Sequence, residues 1–373
     1  MQISISSTTL LSAMHDGIGN YTKRLIQHYT VQPEITVTPL VFPTFFPTFS
    51  RRSTNFALAN QATFPYAFET ASVFSMLTTK PLLKINADIY HATDYCTPKL
   101  NCPVVSTLHD AIPLKHPEWV RSNYRALKNF TLRTTAKWAD HVIALSRAAI
   151  PDLVEYFGIP ENKITVVHCG VDESWLRPLE NSNVEATLKK YKLPNNYFLF
   201  VGTLQPRKNI LRILNAYMAL PNRIRQERKL VIVGRSGWYL EDVTLLLTKL
   251  QSENEVVWLQ NIAEENELRA IYQGAGVFVF PSLYEGFGIP VLEAFASKVP
   301  VLTSNTTSLP EVTGDAAVLV NPLSVEEIKD AMQKLAEDND LRQACIQKGF
   351  IRAQNKTWKK CAEETLAVYK KLL

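Results

Sequence analysis

Cysteine is scarce and unpaired in this sequence. Cys96, Cys102, Cys169, Cys345 and Cys361 are odd in number and form no CxxC pair. Neither a disulfide framework nor a zinc ribbon fits that spacing, so a reducing cytoplasm is the expected setting. Long hydrophobic runs are also missing: no 18-residue apolar stretch occurs, and MQISISSTTLLSAM lacks the basic segment and unbroken apolar core of a secretory signal. The expectation is a soluble chain, cytoplasmic or peripheral at the inner face of a membrane. An excess of one charge is lacking too. Forty Lys+Arg against 35 Asp+Glu leave a net +5 spread along the chain. This excludes a nucleic-acid partner and suits only small anions or an acidic membrane surface. The seven histidines show no HExxH or other ligand spacing, so no metal site is expected. No heptad, collagen period, short repeat or low-complexity tract is present.

What the sequence does contain is alternation. With 373 residues it is long enough for roughly two domains of about 150 residues. Short apolar runs at 2–6, 35–42, 88–92, 103–108, 141–145 and 164–167 are separated by several helix-like stretches. A polar segment follows, Pro178 to Asn196, which reads as an inter-domain link. The rhythm then restarts with runs at 197–201, 229–233, 256–260, 276–280, 300–303 and 317–320. Strands that alternate with helices imply parallel sheets, so the fold class is α/β with two Rossmann-like domains. Two such sheets in tandem would face a central cleft, with helix N-termini directed at the ligand. The last segment, Trp358 to Leu373, has helical apolar spacing with no strand after it, and would pack wherever a groove is open.

Two constellations in the second half could carry chemistry. In VGTLQPRKNILRIL a buried-type strand ends at Gly202 and a helix begins near Asn209, which reads as its N-cap. Arg207 and Lys208 lie between them, where side-chain charge and helix dipole add to a positive potential suited to a diphosphate. A solvated basic loop would have the same spelling. In FPSLYEGFGIPVLEAF a strand ends near Phe280, Glu285 to Gly288 form a permissive loop, and Pro290 opens a helix. Glu293 then falls in the first turn, about 4.5 Å along the axis from Pro290, so both glutamates can face a ligand lying across the helix start.

These residues resemble glycosyltransferase family 4. The Glu285 to Glu293 spacing resembles the Glu-x7-Glu motif of its retaining members, and VGTLQPRKN, KLVIVGRSGW, FPSLYEGFGIPVLEA and SNTTSLPEVTGDAAVLVNP resemble the family in the same order. The likeness runs along nearly the whole chain, strongest from Tyr197 to Pro322 and weakest from Phe42 to Leu83. It implies the GT-B fold, with residues 1–180 as the acceptor-side domain, 181–355 as the nucleotide-sugar domain, and 356–373 as a helix able to cross back to the first.

The resemblance also assigns roles. Arg207 and Lys208 match the pair on the donor diphosphate, Glu293 the carboxylate on the ribose, and Glu285 the catalytic carboxylate near the donor sugar. Phe287, Gly288 and Ile289 match the loop whose backbone contacts sugar and phosphate. Gln260, Asn261 and Ile262 match the border of the nucleobase. In the first half, DGIGNY has Gly17 and Gly19 but Thr22 where a dinucleotide fingerprint needs glycine, so it matches the family's glycine loop toward the diphosphate and not an NAD site. His109 and Asp110 match the catalytic His-Asp pair on the acceptor side.

The activity so implied is hexosyl transfer with retention, with mannose from GDP-mannose as the donor. The acceptor would be a glycan or lipid-linked glycan in bacterial polysaccharide synthesis. No cofactor or metal is expected. A nucleotide-sugar epimerase of the same fold is one rival. A non-catalytic glycan-assembly subunit is another, and the intact Arg207, Lys208, Glu285 and Glu293 argue against it. Three further signals read as structural. Asp338-Asn339-Asp340 resembles a cation motif but lies between helices as a solvated turn. Ser308 to Glu311 reads as a capping box. The stretch 42–56, with Phe42, Phe45, Phe46, Phe49, Arg51 and Arg52, reads as a loop on its own domain or a membrane contact.

Overall fold

A computed structural model describes residues 1–11, 17–43, 61–78, 81, 83–120, 125–238, 241–262 and 264–373. The chain forms two compact units: Met1–Cys169 with Trp358–Leu373, and Gly170–Thr357.

The first unit is built on seven strands: β1 (Gln2–Ser6), β2 (Thr36–Val41), β3 (Ala62–Thr63), β4 (Ile89–Ala92), β5 (Val104–Leu108), β6 (His141–Ala144) and β7 (Ile164–Val166). They lie in the order β3-β2-β1-β4-β5-β6-β7, and every pair is parallel. A parallel sheet is covered on both faces, so its central strands need apolar or paired residues throughout. All of β4 and all of β5 are accordingly buried, in the register Tyr90↔Val104 and His91↔Val105. Strand β3 escapes the sequence pattern because two edge residues carry no periodicity. Phe42, the first residue of the aromatic stretch, is a core residue. It is 1% exposed and stacks on Phe64 with ring centroids 4.8 Å apart, so it touches no membrane. Residues 44–56 of that stretch lie outside the described residues.

Helix Gly17–Thr30 buries Tyr21, Leu25, Ile26 and Tyr29, and the last helix, Trp358–Lys370, packs against it. The junction is polar at its centre. His91, fully buried on β4, meets the Tyr369 hydroxyl at 2.6 Å through Nδ1 and the Thr107 hydroxyl at 2.7 Å through Nε2. Thr107 also meets the Tyr21 hydroxyl at 3.0 Å, and Tyr29 donates to the Ala362 carbonyl at 2.9 Å. Burial, with His109 as a lesser cause, lowers the His91 pKa to about 3, so the imidazole is neutral here.

The second unit has six strands: β8 (Tyr197–Val201), β9 (Leu230–Val233), β10 (Val256–Leu259), β11 (Ala275–Phe280), β12 (Val301–Ser304) and β13 (Ala317–Val320). Their order is β10-β9-β8-β11-β12-β13, again all parallel. Gly234, just past β9, has φ 151°, and a Cβ there would collide with the Gly202 carbonyl beyond β8. Glycine is thus required for the two strand ends to approach. The polar stretch 178–196 is not a free link. Its helix Asn181–Lys190 packs on helix Glu265–Gly274, with Leu188 buried and the Tyr191 hydroxyl donating to Glu267 Oε2 at 2.7 Å. Its polarity in sequence reflects a helix that buries one narrow stripe. The Asp338 turn is a helix cap: its Oδ1 accepts from the Leu341 N–H at 2.9 Å. Among the described residues no three His, Cys, Asp or Glu side chains converge as metal ligands, and no helix is long and apolar enough to cross a membrane.

Candidate functional site

In the second unit the chain moves from β8 outward to β9 and β10, then returns to the other side of β8 with β11. The connections after β8 and β11 therefore diverge and leave a crevice beyond their carboxyl ends, where open α/β sheets bind ligands. Arg207 and Lys208 follow β8 in a short 3-10 turn, Pro206–Lys208. Glu285 follows β11. Arg207 donates to Glu285 Oε2 at 2.7 Å and Lys208 to Oε1 at 2.6 Å, so one carboxylate spans the crevice between two cations. Arg207 also donates to the Tyr284 carbonyl at 3.1 Å, and the Leu283 N–H to the Arg207 carbonyl at 2.7 Å. The Lys208 ammonium sits 4.6 Å from the Phe280 ring centroid.

Burial alone would raise the Glu285 pKa. The opposing pull of Arg207 and then Lys208 is stronger and holds the carboxyl at about 2. Glu285 is thus an anion at any ordinary pH. Two cations and one carboxylate leave the cluster with a net positive charge, which favours an anionic ligand.

The loop carrying Glu285 is held from below by hydroxyls that the sequence did not mark as functional. Ser308 forms no side-chain cap for the helix Leu309–Thr313 that follows it. Its Oγ instead lies 2.9 Å from the Glu285 carbonyl and 2.8 Å from the Phe287 carbonyl. The capping-box expectation fails because Ser308 has a helical backbone, φ −78° and ψ −14°, where an N-cap is extended, and its hydroxyl donates to these carbonyls. Thr307 Oγ1 accepts from the Glu285 N–H at 3.3 Å. Asn209 does precede its helix, Ile210–Met218, but with φ 63° and without capping it. Its Nδ2 donates to the carbonyls of Pro281 at 2.9 Å and Pro322 at 2.6 Å, tying three loops together.

Phe287 is buried and Gly288 has φ 118°, a conformation that favours glycine. Helix Ile289–Ala296 begins directly after, one residue earlier than Pro290 suggests. Because the helix starts at Ile289, Glu293 falls past its first turn and not within it as expected, and its Oε2 accepts from the Tyr272 hydroxyl at 2.9 Å. Tyr272 is fully buried, edge-on to Trp175 at 5.5 Å, and burial raises its pKa well above the usual phenol, so it is a fixed donor. Nothing in the sequence pointed to it. Gln260, Asn261 and Ile262 follow the edge strand β10 at the same end of the sheet, with Gln260 and Asn261 exposed.

In the first unit the order reverses between β1 and β4. Gly17 is the first residue of its helix, with open space where a Cβ would stand, and Gly19 is buried. His109, just past β5, is buried, and its Nε2 donates to the Thr93 carbonyl at 2.8 Å. The Tyr21 ring lies edge-on to it at 5.2 Å. Asp110 Oδ1 accepts from the Tyr95 hydroxyl at 2.9 Å and from the Ile112 N–H at 3.0 Å, so it also starts the turn Ile112–Lys115. Sequence reasoning missed Asp94, which follows β4 and accepts from Ser6 Oγ at 2.8 Å. Burial raises its pKa to about 6, although the Ser6 hydrogen bond pulls the other way. Its place beyond a central strand was the signal that could have found it.

The family model Glycosyl transferases group 1 matches residues 184–352, and the model Glycosyltransferase Family 4 matches residues 16–175. The O-antigen chain mannosyltransferase B of Escherichia coli is 30% identical over 285 residues, 76% of this chain and 74% of that one. The serotype-specific mannosyltransferase WbdA of the same organism is 29% identical over 275 residues, 72% of this chain and 33% of that longer protein, so the chain spans about a third of it. Among solved structures, HepE of Anabaena, crystallised with UDP and glucose, superimposes with a TM-score of 0.76 at 16% identity, covering 100% of both chains. The chain therefore belongs to glycosyltransferase family 4 and is a glycosyltransferase of the GT-B fold.

Proposed function

We propose that the protein moves a mannosyl group from GDP-mannose to a glycan or lipid-linked glycan, with retention of anomeric configuration and without a metal ion. The observation that carries the site reading is the Arg207–Glu285–Lys208 cluster at the point where the strand order reverses. The choice of mannose is supported by the mannosyltransferases among the relatives. As the glycosidic bond lengthens, negative charge gathers on the leaving diphosphate. Arg207 and Lys208 supply the opposite charge. A pair of unit charges 4 Å apart at an effective dielectric of 20 interacts by about 4 kcal/mol, or roughly three orders of magnitude in rate.

Glu285, held at about 2, is too weak a base to take the acceptor proton at neutral pH. Its part is electrostatic, steadying positive charge on the sugar. The acceptor hydroxyl attacks the same face that the diphosphate leaves, and its proton passes to the departing phosphate oxygen. His109 and Asp110 orient the acceptor side. Glu293 holds the ribose, and Gly17 and Gly19 approach the diphosphate.

The test is a panel of nucleotide sugars incubated with the protein in excess chelator. GDP-mannose should be bound most tightly and turned over. Preference for a UDP-sugar would overturn the donor assignment, and complete loss of turnover restored by magnesium or manganese would overturn metal independence. Peripheral membrane attachment is supported by exposed apolar side chains on two packed helices, Phe74 on Phe68–Met76 and Leu127 and Phe130 on Arg125–Ala136. Co-sedimentation with phosphatidylglycerol vesicles checks it, and a protein left wholly in the supernatant counts against it.

A further inference from the structure

We infer that Ser308 is a positioning residue for the transfer step: it sets the shape of the Glu285–Gly288 loop and thereby turnover, far more than nucleotide affinity. The inference rests on the donor-site reading above. Ser308 is 1% exposed and its Oγ touches two carbonyls, of Glu285 and of Phe287, at 2.9 and 2.8 Å. A single hydroxyl proton shared between them draws both carbonyls to one side. All peptides here are trans, which places each N–H opposite its carbonyl. The peptides Glu285–Gly286 and Phe287–Gly288 therefore present their N–H edges away from Ser308, in the same sense.

Two neighbours complete the template. Thr307, at φ 57°, accepts from the Glu285 N–H at 3.3 Å. Leu309 fills the space beside Gly288, where a Cβ would come within 2.9 Å of its Cδ2. Three consecutive residues after β12 thus mould a loop that follows β11. The cations that hold the Glu285 carboxylate come from elsewhere, after β8, and Arg207 also steadies the peptide that enters Glu285, whereas the peptides that leave Glu285 and Phe287 are held by Ser308. Loss of the Ser308 hydroxyl leaves the Arg207 and Lys208 contacts in place. It frees the backbone that aims the carboxylate and the loop peptides.

The experiment compares Ser308→Ala with Thr313→Val. Thr313 is equally buried on the next helix, and its hydroxyl donates to the Leu309 carbonyl at 2.9 Å. Each variant deletes one buried hydroxyl, so both should lower the thermal midpoint by similar amounts. Steady-state kinetics should show kcat falling about tenfold or more in Ser308→Ala, the order of one buried hydrogen bond, and unchanged in Thr313→Val. Calorimetric titration should give nucleoside-diphosphate affinity within about threefold of wild type in both. Wild-type kcat in Ser308→Ala, an equal fall in Thr313→Val, or a parallel loss of nucleotide affinity would each overturn the inference alone. A wild-type protein that turns over no nucleotide sugar would instead overturn the donor-site reading, and the inference with it.

Discussion

Glu285 and Glu293 share a motif but meet different partners, and the difference predicts different kinetics. Glu285 is gripped by Arg207 and Lys208 and stays ionised, whereas Glu293 is held by the neutral Tyr272 hydroxyl. A group on the ribose binds ground state and transition state alike, while a group on the sugar acts as charge develops. Glu293→Ala should therefore weaken donor and nucleoside diphosphate equally, and Glu285→Ala should lower kcat strongly with nucleotide affinity nearly intact. Near-wild-type turnover in Glu285→Ala, or equal loss of nucleotide affinity in both, would show the division to be wrong. The motif spelled out both glutamates. It could not spell out Tyr272, Ser308 or Thr307, because their spacing from the glutamates in sequence bears no relation to their distance in space. Ser308 shows the hazard of a local rule: a serine three residues before a glutamate suggests a cap, yet carbonyls from a loop 21 to 23 residues away claim the hydroxyl.

Strands were the most legible elements, since a parallel sheet buried on both faces forces near-continuous apolar runs. The exception, β3, is too short for any pattern to show. Helix ends were less legible, as Asn209 illustrates by starting a helix without capping it. Buried polar chains were invisible, because a histidine in IYHA gives no sign of its partners. The chain through His91 predicts a pH effect. His91 meets the buried Tyr369 hydroxyl through Nδ1 and the buried Thr107 hydroxyl through Nε2, and a neutral imidazole offers these two hydroxyls one donor and one acceptor nitrogen. An unfolded chain takes up the proton near pH 6.5 and the folded one only near 3. Between those values the unfolded state binds more protons, so stability falls as pH drops through this window. Asp94, raised to about 6, works in the opposite direction over part of it. Comparing wild type with His91→Gln isolates the histidine. The thermal midpoint of the variant should be lower at pH 7.5 and should fall less on acidification. Parallel midpoint curves for the two proteins would rule out His91 as the source.

The chain's last sixteen residues fold with its first unit and not with the residues that precede them. Sequence showed that Trp358 to Leu373 form a helix with an apolar stripe, but a stripe does not name the groove it fills. The groove is the flank of helix Gly17–Thr30, where Trp358 lies 6.0 Å from the Tyr21 ring and Tyr369 lies 6.0 Å from Tyr29. Trp358 is 2% exposed. Truncating a buried tryptophan to alanine costs about 3–5 kcal/mol, a large part of the roughly 5–15 kcal/mol that keeps a domain folded. The loss should be confined to the unit in which the side chain is packed, since stability in a two-unit chain is local. Hydrogen exchange read by mass spectrometry decides this. In Trp358→Ala, amides of helix Gly17–Thr30 and strands β4 and β5 should exchange faster, while those of β8, β9 and β11 keep wild-type protection. Faster exchange in β8, β9 and β11, or wild-type protection throughout, would mean that the last helix does not stabilise the first unit in this way.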